Sequence, residues 1–471
     1  MRIAVLNKDK CQPKRCNQEC ISYCPRVRSG DETIIVGEKG KPVINENLCV
    51  GCGICVHKCP FGAIQIINLA EELEGELVQQ YGVNGFRLYR LPIPREGEVV
   101  GMLGPNAIGK TTAFKILSGQ EIPNLGNIND PPTWEPVLEK YAGTELNNHL
   151  EKVAGGKLTF SFKPQYVDML PRVHSGKVRA LLEKVETDMA LEPVAAELDL
   201  LSCMDRDIAQ LSGGELQRVA IAATVLKKAD IYFFDEPSSY LDIYQRLKIA
   251  KVIQRIAQSH PVMVIEHDLA VLDFLADTVH LMYGSEGAFG VLAQPRTVRN
   301  AINTYLDGYM KEENVRIRER NIKFETRAPR KDWSAVSLVS FEKLQKRFEK
   351  FTLATEPGSI KSGEVVGIVG PNATGKTTFV KMLAGEFSPD SGEIDANVKV
   401  SYKPQYIEPS FGGTVGELFM TELGGRSTSG FFKSEVHTPL NLEPLMNRAL
   451  PSLSGGELQR VAIALCLARE A

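Results

Sequence analysis

The chain has 471 residues, of which 43% are hydrophobic and 24% charged, and a formal net charge of -3. Length and balance predict a globular protein of about three domains with large cores. They exclude a surface coated throughout for nucleic acid, so any RNA contact is expected to be local. No apolar run reaches the roughly 18 residues that a membrane span needs, and the N-terminal MRIAVLNKDKC lacks a signal peptide's apolar core.

Eight of the ten cysteines lie before residue 60, while Cys203 and Cys466 stand alone and read as small buried hydrophobes. Such clustering predicts metal ligation in a reducing, cytosolic compartment instead of disulfides. Cys49, Cys52, Cys55 and Cys59-Pro60 have the C-x2-C-x2-C-x3-C-P spacing of bacterial ferredoxins, in which the fourth cysteine of each run ligates the other cluster. Carried over, Cys24, Cys49, Cys52 and Cys55 hold one [4Fe–4S] cluster, and Cys11, Cys16, Cys20 and Cys59 hold the other. The first run, Cys11, Cys16, Cys20 and Cys24-Pro25, departs from the usual spacing. Zinc is the rival metal, but two C-x-x-C pairs would suffice for it. Between the runs, TIIVG and KPVIN read as short strands with basic residues around them.

Glu98 to Leu103 reads as a buried strand, followed by Gly104, Asn106, Gly109, Lys110, Thr111 and Thr112 in the pattern G-x4-G-K-T and then an apolar helix. That is the strand–loop–helix setting of a P-loop: amides cradle the phosphates, Lys110 neutralises the β/γ oxygens and Thr111 reaches Mg²⁺. The loop recurs at Gly370, Asn372, Gly375, Lys376, Thr377 and Thr378. Upstream of each copy lie aromatic side chains able to stack on adenine, Tyr81 and Phe86 in the first and Phe348 and Phe351 in the second. KPQY also occurs twice and sets Gln165 and Gln405 where an amide reaches Mg²⁺ and the attacking water.

The string LSGGELQRVAIA runs from Leu211 to Ala222 and again from Leu453 to Ala464. Ser212 with Glu215, and Ser454 with Glu457, form capping boxes that open helices. Gly213 and Gly214, like Gly455 and Gly456, are not needed for capping; they let a ligand approach the free N–H groups and positive dipole end of a helix start, above all a phosphate. The apolar strand Ile231 to Phe234 ends in Asp235 and Glu236 at the edge where sheets of this kind bind ligands. Asp235 suits the Mg²⁺ shell and Glu236 a general base. Val262 to Ile265 forms another buried strand leading to His267, placed to bond and sense the γ-phosphate.

P-loop, glutamine, LSGGE, Asp-Glu and histidine in this order resemble the ABC ATPase family. The resemblance implies two cassettes that face head to tail, with ATP between the P-loop of one and the LSGGE of the other. Lys110, Gln165, Asp235, Glu236 and His267 would then work against Ser454, Gly455, Gly456 and Glu457. Lys376, Thr377 and Gln405 would work against Ser212, Gly213, Gly214 and Glu215. Two cassettes behind a double ferredoxin module closely resemble ABC subfamily E, the ribosome-recycling ATPases of the RNase L inhibitor family, in its archaeal type. The expected fold is α/β, two tandem P-loop nucleotide-binding domains with an N-terminal α+β ferredoxin-like domain. The expected division is 1–66 for the iron–sulfur domain, 67–292 for cassette one, 293–335 for a basic hinge and 336–471 for cassette two.

Two further features accompany the resemblance. The first cassette takes a longer path from Ile128 to Gln165 than the second from Ile394 to Gln405, and the insertion, about 129–158, reads as a helix–loop–helix. Residues 316–331 carry seven basic and two acidic side chains, a local phosphate-binding surface. In the resembled family both elements meet the ribosome, the first at its small subunit and the second at ribosomal RNA. The chain stops at Ala471, before a second Walker-B strand, second Asp-Glu pair or second histidine. The expectation is a truncated chain, or a polypeptide split in two, whose second site binds nucleotide but hydrolyses it poorly.

The resemblance implies a cytoplasmic, monomeric, Mg²⁺-dependent ATPase that parts ribosomes into subunits during recycling and translation termination. Its partners would be the ribosome and a release factor or that factor's stalled-ribosome paralogue, with no membrane partner. Two rival functions are an ATP-gated iron–sulfur electron-transfer protein and the soluble ATPase of another ABC machine.

Overall fold

The computed structural model describes residues 2–469 except 9, 38–39, 47, 69–70, 186–189, 319, 325–335, 350, 397–398 and 405–410. It divides into two compact units, Met1–Glu325 and Thr326–Ala471.

At the start of the first unit, β1 (Arg2–Leu6) pairs antiparallel with β4 (Ile64–Asn68), and β2 (Ile34–Val36) with β3 (Pro42–Ile44). Only short helices join them, so the small apolar core of Ala4, Leu6, Ile44, Ala63 and Ile64 is completed by Cys20, Cys24 and Cys55. A module of this size has little apolar surface to bury, and convergent ligands substitute for core.

The rest of this unit is built on one eight-stranded sheet. Its strands are β5 (Leu77–Gln80), β6 (Arg87–Tyr89), β7 (Val99–Leu103), β8 (Phe160–Lys163), β9 (Ile231–Asp235), β10 (Val262–Ile265), β11 (Thr278–Ser285) and β12 (Phe289–Thr297), in the order β5-β6-β12-β11-β7-β10-β9-β8. The run β11-β7-β10-β9-β8 is parallel. Every residue of β7, β9 and β10 is buried, as continuous apolar strands with both faces covered must be. One face packs the helix Lys110–Leu117 and the inserted helices Trp134–Lys140 and Glu145–Ala154, through Ile116, Val137 and Leu150. The other packs Gly213–Leu226 and Ile243–Ala257, through Val219, Ile221 and Ile253. Because the three central strands are parallel, the loops after β7, β9 and β10 share one edge.

Strand β12 runs through position 293, the residue at which the sequence suggests that a hinge begins. The helix Val298–Asp307 then returns Ala301 to the same core, and β13 (Tyr309–Met310) pairs with β14 (Val315–Arg316). Gly290 to Ala293 are buried in an unbroken run, so the chain continues the sheet through this position instead of leaving it.

In the second unit, β15 (Ser337–Phe341) lies between β18 (Gly358–Lys361) and β19 (Ile394–Ala396), and β16 (Gln345–Phe348) forms a hairpin with β17 (Phe351–Ala354). The helices Val415–Leu423 and Gly455–Ala468 enclose a separate core around Phe419, Phe432 and Val461. Residues 364–370, the counterpart of β7, form no strand, and Val365 is 97% exposed. An apolar β-rich stretch of this kind gains its ladder only from parallel neighbours, and the described residues supply none.

Candidate functional site

The first P-loop follows from the geometry of its glycine and lysine. Gly109 caps the helix Lys110–Leu117 at φ +93°, and a Cβ there would lie 2.8 Å from Cζ of Phe86. The turn therefore admits only glycine, and the Phe86 ring sits directly over it. Lys110 is buried and its ammonium donates to the carbonyls of Gly104 at 2.8 Å and Pro105 at 2.6 Å. Burial lowers its pKa to about 8, partly opposed by Asp235 and Glu236. Asn106 is exposed at the tip of the loop, and Thr112 follows Thr111 on the first turn of the helix.

Across the same sheet edge, the Thr111 hydroxyl donates to Asp235 Oδ2 at 2.9 Å. Burial raises the Asp235 carboxyl to about 6, with the Thr111 bond and the two nearby lysines pulling the other way. A hydroxyl and a carboxylate so joined are oxygen donors of the kind that suits Mg²⁺. Glu236 stands in the left-handed region at φ 47°. Its Oε1 accepts from Gln165 Nε2 at 2.6 Å, its Oε2 from Ser239 at 3.1 Å, and His267 Nε2 is 3.6 Å from Oε1. Burial and then the Lys110 charge hold His267 below the usual imidazole range, so the ring is neutral at pH 7.

The aromatic positions are brought to the loop. Tyr81 and Phe86 lie 6.3 Å apart, ring centre to ring centre, at the two ends of a turn, with Tyr81 exposed. Asn84 between them, at φ 53°, was not legible as a site residue. Its side chain accepts from the Ile44 N–H at 2.7 Å and donates to Glu46 at 3.0 Å, and Arg87 closes an ion pair on the same carboxylate. Ser285 adds a bond to Gln65 at 2.5 Å. The turn that carries Tyr81 and Phe86 is thus bound to the cysteine-bearing module.

Both repeated helix starts have complete capping boxes. Ser212 N donates to Glu215 at 2.8 Å while Glu215 N donates to Ser212 Oγ at 3.3 Å, and Ser454 with Glu457 does the same. Each glutamate also meets an arginine nine residues earlier, Arg206 at 2.7 Å and Arg448 at 2.5 Å. These arginines escaped the sequence reading although they stand at the same offset before both repeats. Ser212 and Ser454 are exposed, and a Cβ at Gly455 or Gly456 would meet nothing within 4 Å. Packing inside the second unit therefore does not demand these glycines.

In the second unit Gly375 caps the helix Lys376–Leu383 at φ +89°, with the Phe351 ring 2.8 Å from where a Cβ would be. Lys376 donates to Gly370 O at 2.7 Å and to Pro371 O. Phe348 and Phe351 stack at 6.3 Å. Asn372 and Thr377 are exposed and Thr378 is half-buried. Gln405 lies outside the described residues, as do Arg327, Arg330 and Lys331 of the basic segment. Within that segment Arg318 is not turned to solvent: it donates to the Tyr305 carbonyl at 3.0 Å and lies over the Tyr305 ring.

The cysteines converge in two sets. One cavity is lined by Cys24, Cys49, Cys52 and Cys55, and another by Cys11, Cys16, Cys20 and Cys59. Burial first, and then the other thiols, push Cys20 up to about 11 and Cys55 up to about 12. Thiols gathered where burial and neighbouring thiols oppose ionisation, as at Cys20 and Cys55, call for a positively charged guest. Among the described residues no group of three ligands closes on a point that would hold a single metal ion. Four thiols around one cavity match the ligand number that a [4Fe–4S] cubane takes.

A P-loop, a strand-end Asp-Glu pair and a glycine-led capped helix on this sheet define an ATP-binding cassette protein, and a family model described as ABC transporter matches residues 94–239 and 357–471. Residues 1–32 match a possible Fer4-like domain in RNase L inhibitor, and residues 42–65 a 4Fe-4S binding domain. The chain is 50% identical to an uncharacterized ABC transporter ATP-binding protein of Methanocaldococcus jannaschii, over 100% of this chain and 78% of that one. It is 44% identical to translation initiation factor RLI1 of Saccharomyces cerevisiae, over 99% of this chain and 78% of that one. A solved chain in a model of ribosome-bound archaeal Pelota and ABCE1 superposes with a TM-score of 0.91 at 52% identity, over 100% of this chain and 79% of that one. The chain belongs to the RNase L inhibitor family, the E subfamily of ABC proteins.

Proposed function

We propose that the protein is a cytoplasmic, Mg²⁺-dependent ATPase that parts ribosomes into subunits. The observation that carries the reading is the likeness, over all of this chain and 79% of the other, to an ABCE1 chain described as ribosome-bound. Its companion there, Pelota, supports a release factor or that factor's stalled-ribosome paralogue as the cooperating partner.

At the first nucleotide site, Lys110 exchanges the Gly104 and Pro105 carbonyls for the β/γ oxygens of the triphosphate, which restores its full charge. Tyr81 and Phe86 stack on the adenine. Thr111, Asp235 and Gln165 would hold Mg²⁺, which neutralises charge on the transferred phosphoryl group. Glu236, aimed by Gln165 and Ser239, takes the proton of the attacking water, and neutral His267 bonds the γ-phosphate. The second site binds its nucleotide through Lys376, Thr377, Thr378 and Gln405, with Phe348 and Phe351 on the adenine.

Closure of the cassettes follows when each triphosphate also takes the N–H groups offered at Gly213 and Gly214 or at Gly455 and Gly456. Two [4Fe–4S] clusters, one per cysteine set, stiffen the N-terminal module into a lever that the Asn84 turn moves. The inserted helices and the basic segment 316–331 meet the small subunit and its RNA. The test is sedimentation of the full chain with archaeal ribosomes and a non-hydrolysable ATP analogue. The expected result is a band on free small subunits that depends on the analogue. A chain that stays at the top of the gradient in every nucleotide state contradicts the reading.

A further inference from the structure

Lys163 is a cation with no exposed surface, placed against the carbonyls of Asp235 and Glu236. Its ammonium donates to the Asp235 carbonyl at 2.7 Å and to the Glu236 carbonyl at 3.1 Å. The Glu236 carbonyl accepts a second bond from Gln217 Nε2 at 2.8 Å, and the same amide reaches the Pro237 carbonyl at 2.9 Å. Gln217 belongs to the repeated LSGGELQ string and is likewise buried, so both donors stand where water cannot replace them.

From this geometry we infer that Lys163 and Gln217 are positioning residues for Glu236, acting on its backbone while Gln165 acts on its side chain. A non-glycine residue at φ 47° is held against its own preference and persists only where its surroundings over-determine it. The turn at Glu236 swings its carboxylate out towards the nucleotide side and its carbonyl back into the protein, where the two donors receive it. Lys163 is the last residue of β8, and Gln165 follows two residues later, just past the strand end. One strand end therefore grips the general base twice, by the carbonyl and by the carboxylate. Lys163 is also a buried positive charge facing Asp235, Glu236 and Glu266. Lys-Pro-Gln recurs at 403–405 and the glutamine of the repeated string at Gln459, so both sequence copies carry the same pair. A general base displaced by about 1 Å loses on the order of a hundredfold in rate while substrate binding is left in place.

The inference rests on the proposed role of Glu236 and is separable from it. In the full chain, the part of ATP turnover that Glu236→Gln abolishes belongs to this site. Lys163→Met is expected to remove at least about nine-tenths of that part while the KM for MgATP stays within about threefold. Gln217→Leu, which keeps the lysine, is expected to lower the same part with the same unchanged KM, and it stands in should Lys163→Met not fold. A folded Lys163→Met or Gln217→Leu protein that retains that turnover, or that loses it only through a raised KM, overturns the inference. If Glu236→Gln itself leaves turnover intact, the role of Glu236 fails and the positioning inference falls with it.

Discussion

The amide side chain of Asn84 accepts the backbone N–H of Ile44 at 2.7 Å, joining the adenine-side turn of the first cassette to a strand of the cysteine module. Both groups are buried, and Asn84 also supplies the positive φ that the turn between Tyr81 and Phe86 requires.

Replacing Asn84 with alanine leaves the Ile44 N–H without its acceptor and forces a Cβ-bearing residue less tolerant of the left-handed region into the turn. The expected loss is about 2 to 4 kcal/mol of stability of the first unit, together with weaker ATP binding at the first site. Asn84→Gly keeps the backbone conformation and should recover the smaller, conformational part only. Chemical denaturation of the two variants beside the parent chain measures the difference.

Asp235 pits stability against function. Its carboxyl is raised to about 6, chiefly by burial, so the folded nucleotide-free protein holds this proton more tightly than the unfolded chain does. The sign follows from linkage: the contribution to stability is fully present below the unfolded value and is lost as pH rises through about 6. Asp235→Asn should therefore flatten the stability of the nucleotide-free protein between about pH 4 and 7. It should leave that protein at least as stable as the parent at pH 7 while abolishing Mg²⁺-dependent nucleotide binding. Thermal melts across that range, with and without MgATP, decide both halves.

Cys24 comes from the first cysteine run but lines the cavity of Cys49, Cys52 and Cys55. Cys24→Ser should reduce iron from about eight atoms per chain to about four and leave the cluster of Cys11, Cys16, Cys20 and Cys59. Cys59→Ser should do the converse. Iron content and electron paramagnetic resonance of the reduced proteins distinguish this exchange of fourth ligands from two self-contained runs.

Motifs whose chemistry depends on spacing were legible without coordinates. The P-loop lies between β7 and its helix, Asp235 ends β9, both capping boxes close, and the inserted helices fall where the path from Ile128 to Gln165 lengthens. What escaped were side chains that work on distant main chain. Asn84 reaches Ile44, Lys163 reaches Asp235 and Glu236, and Gln217 reaches Pro237, contacts that no local period encodes. Arg206 and Arg448 are an intermediate case, since the repeat itself marks them by their common offset before Glu215 and Glu457. The apolar stretch Val365 to Val369 forms no strand, because a strand forms only against a partner.

The central claim is that triphosphate draws the two cassettes together. Fluorophores placed at exposed Lys152 and Thr428 by non-cysteine chemistry report the distance between the units in the Glu236→Gln protein. Closure by ATP predicts one short-distance population with MgATP, held for as long as hydrolysis is blocked, and a longer, broader one with ADP or without nucleotide. The same distance distribution in all three conditions, with ATP demonstrably bound, would contradict the account.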